Sequence, residues 1–495
     1  MRDAPKPTLK IGTGNGFSLH PPETEPVGLL KNPMSEKMAV ETKRVSLANF
    51  AQMALFQQSP SPYLPPGASL ISDPTPKPEA PSGALQPPEE QVDTAEGGCA
   101  TCQTEADSDI MEGMKLPIYM DYNATTPLDP RVLQAMLPYL TDHFGNAGSS
   151  HAFGHTALNA VAKSREALAA LLGVQPEEIL FTSGATEADN MAVYGAALGL
   201  QSKGRHLITQ KTEHPAVLEP FRMLEAEGFE VTWLPVDGRG RVDPAHVAHA
   251  ITPRTTLISI MHAQNEIGTL QPIAEISRIA RERGVVFHTD AAQSFGKVPL
   301  PLGAWPVDLA SITAHKLYGP KGIGVLIIRS EALRAKLKPL HHGGGQELGL
   351  RPGTLNVPGI VGLAAAAEIA TAEMSEESER LKGLRLRLHQ GLLAHSEGIR
   401  LNGHPEERLP GNLHLSFHGL DAHLLLDQVP EVAVSTGSAC HSGPTFLSPV
   451  LDALGLSREW SRGSVRFGLG RFSTEEEVDF AVHKFGTALR ELRRF

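Results

Sequence analysis

From Leu116 onward the chain repeats one pattern, a short apolar run followed by a turn and a longer amphipathic stretch. Glu178 to Thr182, His206 to Gln210, Glu230 to Leu234, Thr256 to Met261 and Val285 to His288 read as strands. Pro130 to Leu140, His155 to Leu172, Glu187 to Leu200, Pro215 to Glu227 and Ile273 to Arg283 read as the helices between them. Strands that alternate with helices are satisfied by a mostly parallel sheet with helices on both faces, because parallel neighbours need a long crossover. Val325 to Ile328 is a further strand, returning after a glycine-rich turn. The expected fold is therefore α/β, a large doubly wound domain over 114–375. After a long helix, about Val361 to Glu397, short strands such as Asn412 to Phe417 and Val432 to Ser435 and helices Ala422 to Gln428 and Thr474 to Arg494 predict a smaller α/β C-terminal domain over 376–495, with 114–130 free to pack against it.

Residues 1–113 read differently. Proline pairs at Pro21-Pro22, Pro65-Pro66 and Pro87-Pro88 lie among acidic and Ser/Gly/Thr-rich connectors, a composition that buries too little apolar surface to fold alone. A disordered extension is expected there, with Val45 to Phe56 as a transient helix. Met114 is an alternative start. Cys99-Ala-Thr-Cys102 lacks the second ligand pair that zinc needs, so no metal site is expected.

No run of about 18 apolar residues suggests a membrane span. The net charge of −11 argues against direct nucleic-acid binding as the main role. Three cysteines in 495 residues do not make a disulfide framework and point to a reducing, cytoplasmic compartment.

The chemistry centres on Ser311-Ile-Thr-Ala-His-Lys-Leu-Tyr-Gly-Pro-Lys-Gly-Ile-Gly324. Lys316 follows a strand-like run, at the sheet edge where α/β folds place their sites, and a partly desolvated amine there can attack a carbonyl. Upstream, the strand ending at Asp290 delivers a carboxylate, the group that keeps the ring nitrogen of pyridoxal phosphate protonated. Gln293, three residues on, reaches the ring hydroxyl if the chain turns helically. Phe181-Thr-Ser-Gly-Ala-Thr-Glu187 is a strand end and helix start whose N–H groups, at Ala185 onward, and Thr186 hydroxyl suit a phosphate. Singly, these are also a turn lysine, a strand-end cap and an N-cap. Their order in one chain is the specific signal.

With these segments the chain resembles the NifS-like cysteine desulfurases, fold-type-I pyridoxal-phosphate enzymes. The resemblance also covers Tyr119-Met-Asp-Tyr-Asn-Ala-Thr-Thr-Pro127, Gly145-Asn-Ala-Gly-Ser-Ser-His151, Thr212-Glu-His-Pro215, Asn265-Glu-Ile-Gly268, Arg351-Pro-Gly-Thr354, Gly437-Ser-Ala-Cys-His-Ser442 and Arg466-Phe-Gly-Leu-Gly-Arg471. It implies His214 lying on the cofactor ring, Asn265 bonding cofactor or substrate, and Thr313 and His315 flanking the lysine. It also implies that Thr354 reaches the cofactor of a second subunit, hence a homodimer.

Cys440, in a Ser/Gly/Pro-rich loop, would take sulfur from L-cysteine as a persulfide, leaving alanine, with His214 preferred over His441 as the base that frees its thiolate. That sulfur would pass to acceptor proteins of iron–sulfur assembly or tRNA thiolation. Arg466 is the fork-shaped donor expected to bind the substrate carboxylate, with Arg471 structural.

The sequence departs from the family at Ala147-Gly148, at His441, and in ending at Phe495 without the longer tail of scaffold-serving members. Ala439-Cys440-His441-Ser442 is also the form of selenocysteine lyases, which keeps that activity as the alternative. An aminotransferase would need no cysteine. A non-catalytic regulator on this fold would carry a basic helix-turn-helix, which the extension lacks.

Overall fold

The computed structural model describes residues 115–436 and 448–494. The expected extension, the Val45 to Phe56 run, Cys99, Cys102, Cys440 and His441 lie outside the described residues.

In chain order the first elements are β1 (Ile118–Tyr119), α1 (Pro130–Thr141), α2 (Ala152–Leu172), β2 (Ile179–Thr182), α3 (Ala185–Leu200), β3 (His206–Gln210), α4 (Pro215–Ala226), β4 (Glu230–Leu234) and α5 (Pro244–Ala250). Next come β5 (Thr255–Ser259), α6 (Ile273–Glu282), β6 (Val286–Asp290), β7 (Leu309–Thr313), β8 (Gly324–Ile328), α7 (Glu331–Arg334) and α8 (Val357–His395). The chain closes with β9 (Ile399–Leu401), β10 (Asn412–Phe417), α9 (Ala422–Asp427), β11 (Val432–Ala433), α10 (Pro449–Ala453), α11 (Arg458–Ser461), β12 (Ser464–Gly468) and α12 (Glu475–Leu492).

A seven-stranded sheet in the order β2-β8-β7-β6-β5-β3-β4 forms the frame. Neighbours from β7 across to β4 are parallel, and β8 runs antiparallel to both β7 and β2. The reversal has a simple cause: residues 314–323, between β7 and β8, are too few for a crossover. Alternate strand residues feed two cores. Phe181, Ile208, Ile258, Phe287 and Ile312 pack on the face covered by α2 and the first half of α8. Leu180, Leu207, Leu257 and Leu309 pack on the face covered by α3 and α4. Both sets are apolar because both faces are covered, which is why these strands read as continuous apolar runs.

A separate core holds Ile118, Met120, Leu384, Leu388, Leu413, Leu415, Phe467 and Phe485 around the antiparallel sheet β12-β10-β9. Helix α8 serves both cores, its residues Val357 to Ala370 in the first and Leu381 to Leu392 in the second. That helix starts earlier than the sequence suggests, because Asn356 caps it by accepting a hydrogen bond from the Gly359 N–H at 3.1 Å. Its apolar half is long enough to cross a membrane by composition, and half of that window is buried inside the fold. β12 and β9 were not expected as strands. Both are short, and β9 is recognisable only through its pairing with β10.

One close approach shapes the sheet end that carries the chemistry. Gly324 pairs with Thr182 on one side and Thr313 on the other. A Cβ there would sit 2.6 Å from the Ile312 carbonyl oxygen and 2.7 Å from the Gly184 backbone. Gly324→Ala is expected to destabilise the apo protein by about 1–3 kcal/mol, the usual cost of overpacking a core, as read from urea unfolding.

Candidate active site

Three strand ends and one loop converge. β7 ends at Thr313, and the chain turns at once, with the Leu317 and Gly319 N–H groups both donating to the Ala314 carbonyl at 3.0 Å. Tyr318 holds φ 65°, a conformation that favours glycine, and keeps it because its neighbours fix it. Thr126 accepts from the Tyr318 N–H at 2.8 Å through Oγ1 and donates from its N–H and hydroxyl to the His315 carbonyl, both at 2.9 Å. The Arg471 guanidinium lies 4.3 Å from the Tyr318 ring centroid and pairs with Asp129 at 2.7 Å and Glu377 at 3.0 Å, so Arg471 is structural. Lys316 is thereby presented on a rigid turn.

Ala185, Thr186, His214, Asp290, Thr313, His315 and Lys316 line one cavity of about 450 Å³, within the range of small-molecule sites. His214, Asn265, Gln293, Lys316 and Arg466 line a second, smaller cavity of about 110 Å³. Lys316 and His214 belong to both. Thr354 stands apart from Lys316, in an open cleft with Ser183 and Thr186. Cys440 lies outside the described residues.

The larger cavity fits pyridoxal phosphate. Gly184 caps α3 without a side-chain bond, and a Cβ on it would meet only the Thr313 Oγ1, at 3.9 Å, so the glycine leaves the helix start open for an anion. Glu187 braces the cradle by accepting from the Ser183 N–H at 2.5 Å and from Arg351 Nε at 2.9 Å. Asp290, the last residue of β6, is 5% exposed. Its Oδ1 accepts from the Ala292 N–H at 2.8 Å. Burial raises its pKa, and the Lys316 charge opposes that rise. A pyridinium is the kind of cation that would hold it ionised. Thr313 donates its hydroxyl to the Ile323 carbonyl at 3.3 Å. Burial, then the Lys316, Lys321 and Lys297 charges, bring His315 down to about 4, so it is neutral near pH 7.

His214 caps α4, its Nδ1 accepting from the Ala216 N–H at 3.1 Å. In the neutral ring that bond assigns the proton to Nε2, which makes Nε2 a donor. After β6 the chain does turn helically, with Phe295 N–H bonded to the Ala291 carbonyl at 3.0 Å. Gln293 donates Nε2–H to the Asn123 carbonyl at 2.8 Å, which leaves one amide hydrogen. Arg466 is 2% exposed and donates from Nη1 to the Asn265 carbonyl at 2.9 Å.

The sequence reading missed several buried groups here. Asp189, on α3, is fully buried 3.6 Å from His288 Nε2, and burial, then the charge of Asp290, raises its pKa. Lys297, half-buried nearby, is drawn down to about 7, by desolvation first and then by the Lys316 charge. Glu213 lines the smaller cavity, its Oε1 accepting from Gln210 Nε2 and the Met261 N–H, both at 2.6 Å. Burial pushes Glu213 up to about 8. Nothing local signals these inward turns, because each depends on which strand lies alongside.

This geometry is that of a fold-type-I pyridoxal-phosphate protein. The chain belongs to the class-V aminotransferase family, whose model matches residues 118–480 and whose members use pyridoxal phosphate. It is 56% identical over 381 residues to the cysteine desulfurase IscS of Anaeromyxobacter dehalogenans, covering 77% of this chain and 94% of that protein. It is 51% identical to the protein of the same name from Methylococcus capsulatus, with the same coverage. Among solved structures, a NifS-like protein superposes with a TM-score of 0.71 at 40% identity, over 76% of this chain and 99% of that one. SspA in complex with cysteine superposes at 0.64 with 38% identity, over 72% and 100% of the two chains.

Glu213 generates a pH prediction. Its folded pKa of about 8 lies above the ordinary 4.5, so its share of stability is fully present below pH 4.5 and lost as pH rises through about 8. Glu213→Gln keeps the Oε1 acceptor and removes the titration. Urea unfolding of the apo variant is expected to show a smaller loss of stability than wild type from pH about 5 to about 8, the difference reaching on the order of a few kcal/mol.

Proposed function

We infer that this chain is a pyridoxal-phosphate-dependent cysteine desulfurase that converts L-cysteine to L-alanine and takes the sulfur onto Cys440 as a persulfide. The observation that carries this reading is Lys316 in the shared wall of two cavities, one with the phosphate cradle and Asp290, the other with Asn265 and Arg466. Bound in the first, the cofactor supplies an electron sink for the pair left on the substrate Cα.

The protein's own groups do the rest. The start of α3 and the Thr186 hydroxyl hold the phosphate, with Thr354 contributing across a subunit boundary. Asp290 holds the proton at the pyridine nitrogen, and Gln293 uses its second amide hydrogen at the ring hydroxyl. Lys316 anchors the cofactor and then moves the Cα proton at Nζ. His214 keeps a proton at Nε2 beside the ring, which suits it to donate rather than to deprotonate the thiol. Arg466 and Asn265 orient the substrate carboxylate.

The two cores support a reading as a large domain over 114–375 and a small one over 376–495, joined through α8 and with Ile118 and Met120 packed in the second core. A homodimer would account for the exposed apolar side chains Leu133, Leu137, Leu140, Phe144, Phe153 and Leu158, on α1, α2 and the loop between them, since exposed apolar side chains grouped on adjoining elements suit an interface. The cytoplasm is the expected compartment, and acceptor proteins of iron–sulfur assembly or tRNA thiolation the expected recipients.

The test is an assay for alanine and sulfide from L-cysteine with a reductant, beside mass spectrometry for a persulfide. Wild type is expected to form both products and to gain one sulfur on Cys440. Cys440→Ser is expected to keep the cofactor absorbance while losing cysteine-dependent alanine by about a hundredfold or more, as for removal of a nucleophile. Turnover of L-selenocysteine without turnover of L-cysteine would overturn the reading in favour of a selenium-specific lyase.

A further inference from the structure

Arg466 sits in the middle of β12, opposite His414 of β10, where its backbone cannot shift. Its guanidinium is held from two sides. Nη1 donates to the Asn265 carbonyl and Nη2 to Asp121 Oδ1, each at 2.9 Å. Nε is buried and has no acceptor among the described residues. A guanidinium carries five donors, so Nε and the second hydrogens of Nη1 and Nη2 remain for another group. A carboxylate is the group that planar fork suits.

Asp121 is itself held by contacts on both sides. It follows β1, and the chain on either side of it is bonded to Gly468 of β12, Gly468 N–H to the Met120 carbonyl at 2.7 Å and Tyr122 N–H to the Gly468 carbonyl at 3.2 Å. The Ser435 hydroxyl donates to the same Oδ1 at 3.3 Å. Ser435 is in turn bridged to Arg466 through the backbone, Arg466 N–H donating to its carbonyl at 2.7 Å. Backbone and side chain therefore close a ring of contacts through Asp121, Arg466 and Ser435.

We propose that Asp121 is a positioning residue for substrate recognition: it fixes the plane of the Arg466 guanidinium so that the remaining donors face the α-carboxylate of the amino-acid substrate. This rests on the reading of Arg466 as the carboxylate-binding group. A purely structural counter-ion would lower stability without discriminating between ligands. A positioning residue acts only on ligands that carry a carboxylate, and acts through Arg466.

The experiment uses the holoenzyme, with L-cysteine as substrate and cysteamine, which lacks the carboxylate, as competitive ligand. Asp121→Asn, which keeps the shape and removes the charge, is expected to raise KM for L-cysteine about tenfold with a much smaller change in kcat, and to leave the inhibition constant of cysteamine within about twofold. In an Arg466→Gln background, already raised in KM, the second substitution is expected to add little, as for two residues acting through one contact. An equal loss of cysteamine binding, a full additive effect on the Arg466→Gln background, or an unchanged KM in Asp121→Asn would overturn the proposal. An unchanged KM in Arg466→Gln itself would instead remove the Arg466 reading, and the role of Asp121 with it. Thermal melting of the apo proteins reports folding. Should the asparagine variant not fold, Asp121→Glu, with its charge displaced by one methylene, is held to the same KM and cysteamine outcomes.

Discussion

Taking the Asp290 carboxylate out of water at the end of β6 disfavours its charge, and the Lys316 ammonium on the turn after β7 opposes that penalty. The two strands are parallel neighbours, with Asp290 in register with Ser311, so an acid that ends one strand and an amine on the turn after the other meet above one sheet edge. Each additional buried ionisable group near them sharpens the constraint. Asp189 and Glu213 are carboxylates whose charge burial disfavours, and Lys297 is an amine drawn down for the same reason. Among such buried groups a cationic ring and an anionic phosphate are partners that the surrounding residues already suit.

The rigidity of that site comes from polar bonds that cross between the two cores. Arg408 is 4% exposed and donates to the carbonyls of Ile267, Asn402, His404 and Asn412. Burial first, then the charge of Arg385, brings its pKa down to about 9, yet it stays charged near neutrality. Asn412 extends the network by donating to the Glu266 carbonyl at 2.9 Å and to Asn123 Oδ1 at 3.2 Å. Glu266 adjoins Asn265 and accepts from the Ser448 hydroxyl at 2.6 Å. Groups that touch the smaller cavity are thus tied to both sheets, and breaking any one leaves a buried polar atom without its partner.

Much of the fold was legible along the chain. His206–Gln210, Glu230–Leu234 and Asn412–Phe417 could be bounded because an apolar run ends where a turn begins. The positions of Lys316, Asp290 and the Ala185–Thr186 turn were legible because each lies at or just past a strand end or starts a helix, and strand ends are where this architecture gathers its chemistry. Less legible were β9 and β12, which are defined by pairing with β10, and the start of α8, which depends on the Asn356 side chain. Asp121, Asp189, Glu213 and Lys297 gave no signal, since an acidic or basic residue in a loop or helix reads as solvated until its neighbours are known. The tautomer of His214 was not legible for a similar reason: the cap bond from the Ala216 N–H to Nδ1 lies in the fold and not in the local sequence.

Residue order alone determined the alternating strand–helix architecture and the kinds of group available to it, because apolar periodicity and turn chemistry act over a few neighbouring positions. Tertiary structure decided which of those groups share a cavity and which partner each one has. Asp121 and Arg466 are separated by most of the described chain and still meet at 2.9 Å, because the chain just after β1 bridges Gly468 at the end of β12. Charge states and side-chain orientations follow from such meetings, through burial and partner atoms that no local stretch of sequence contains.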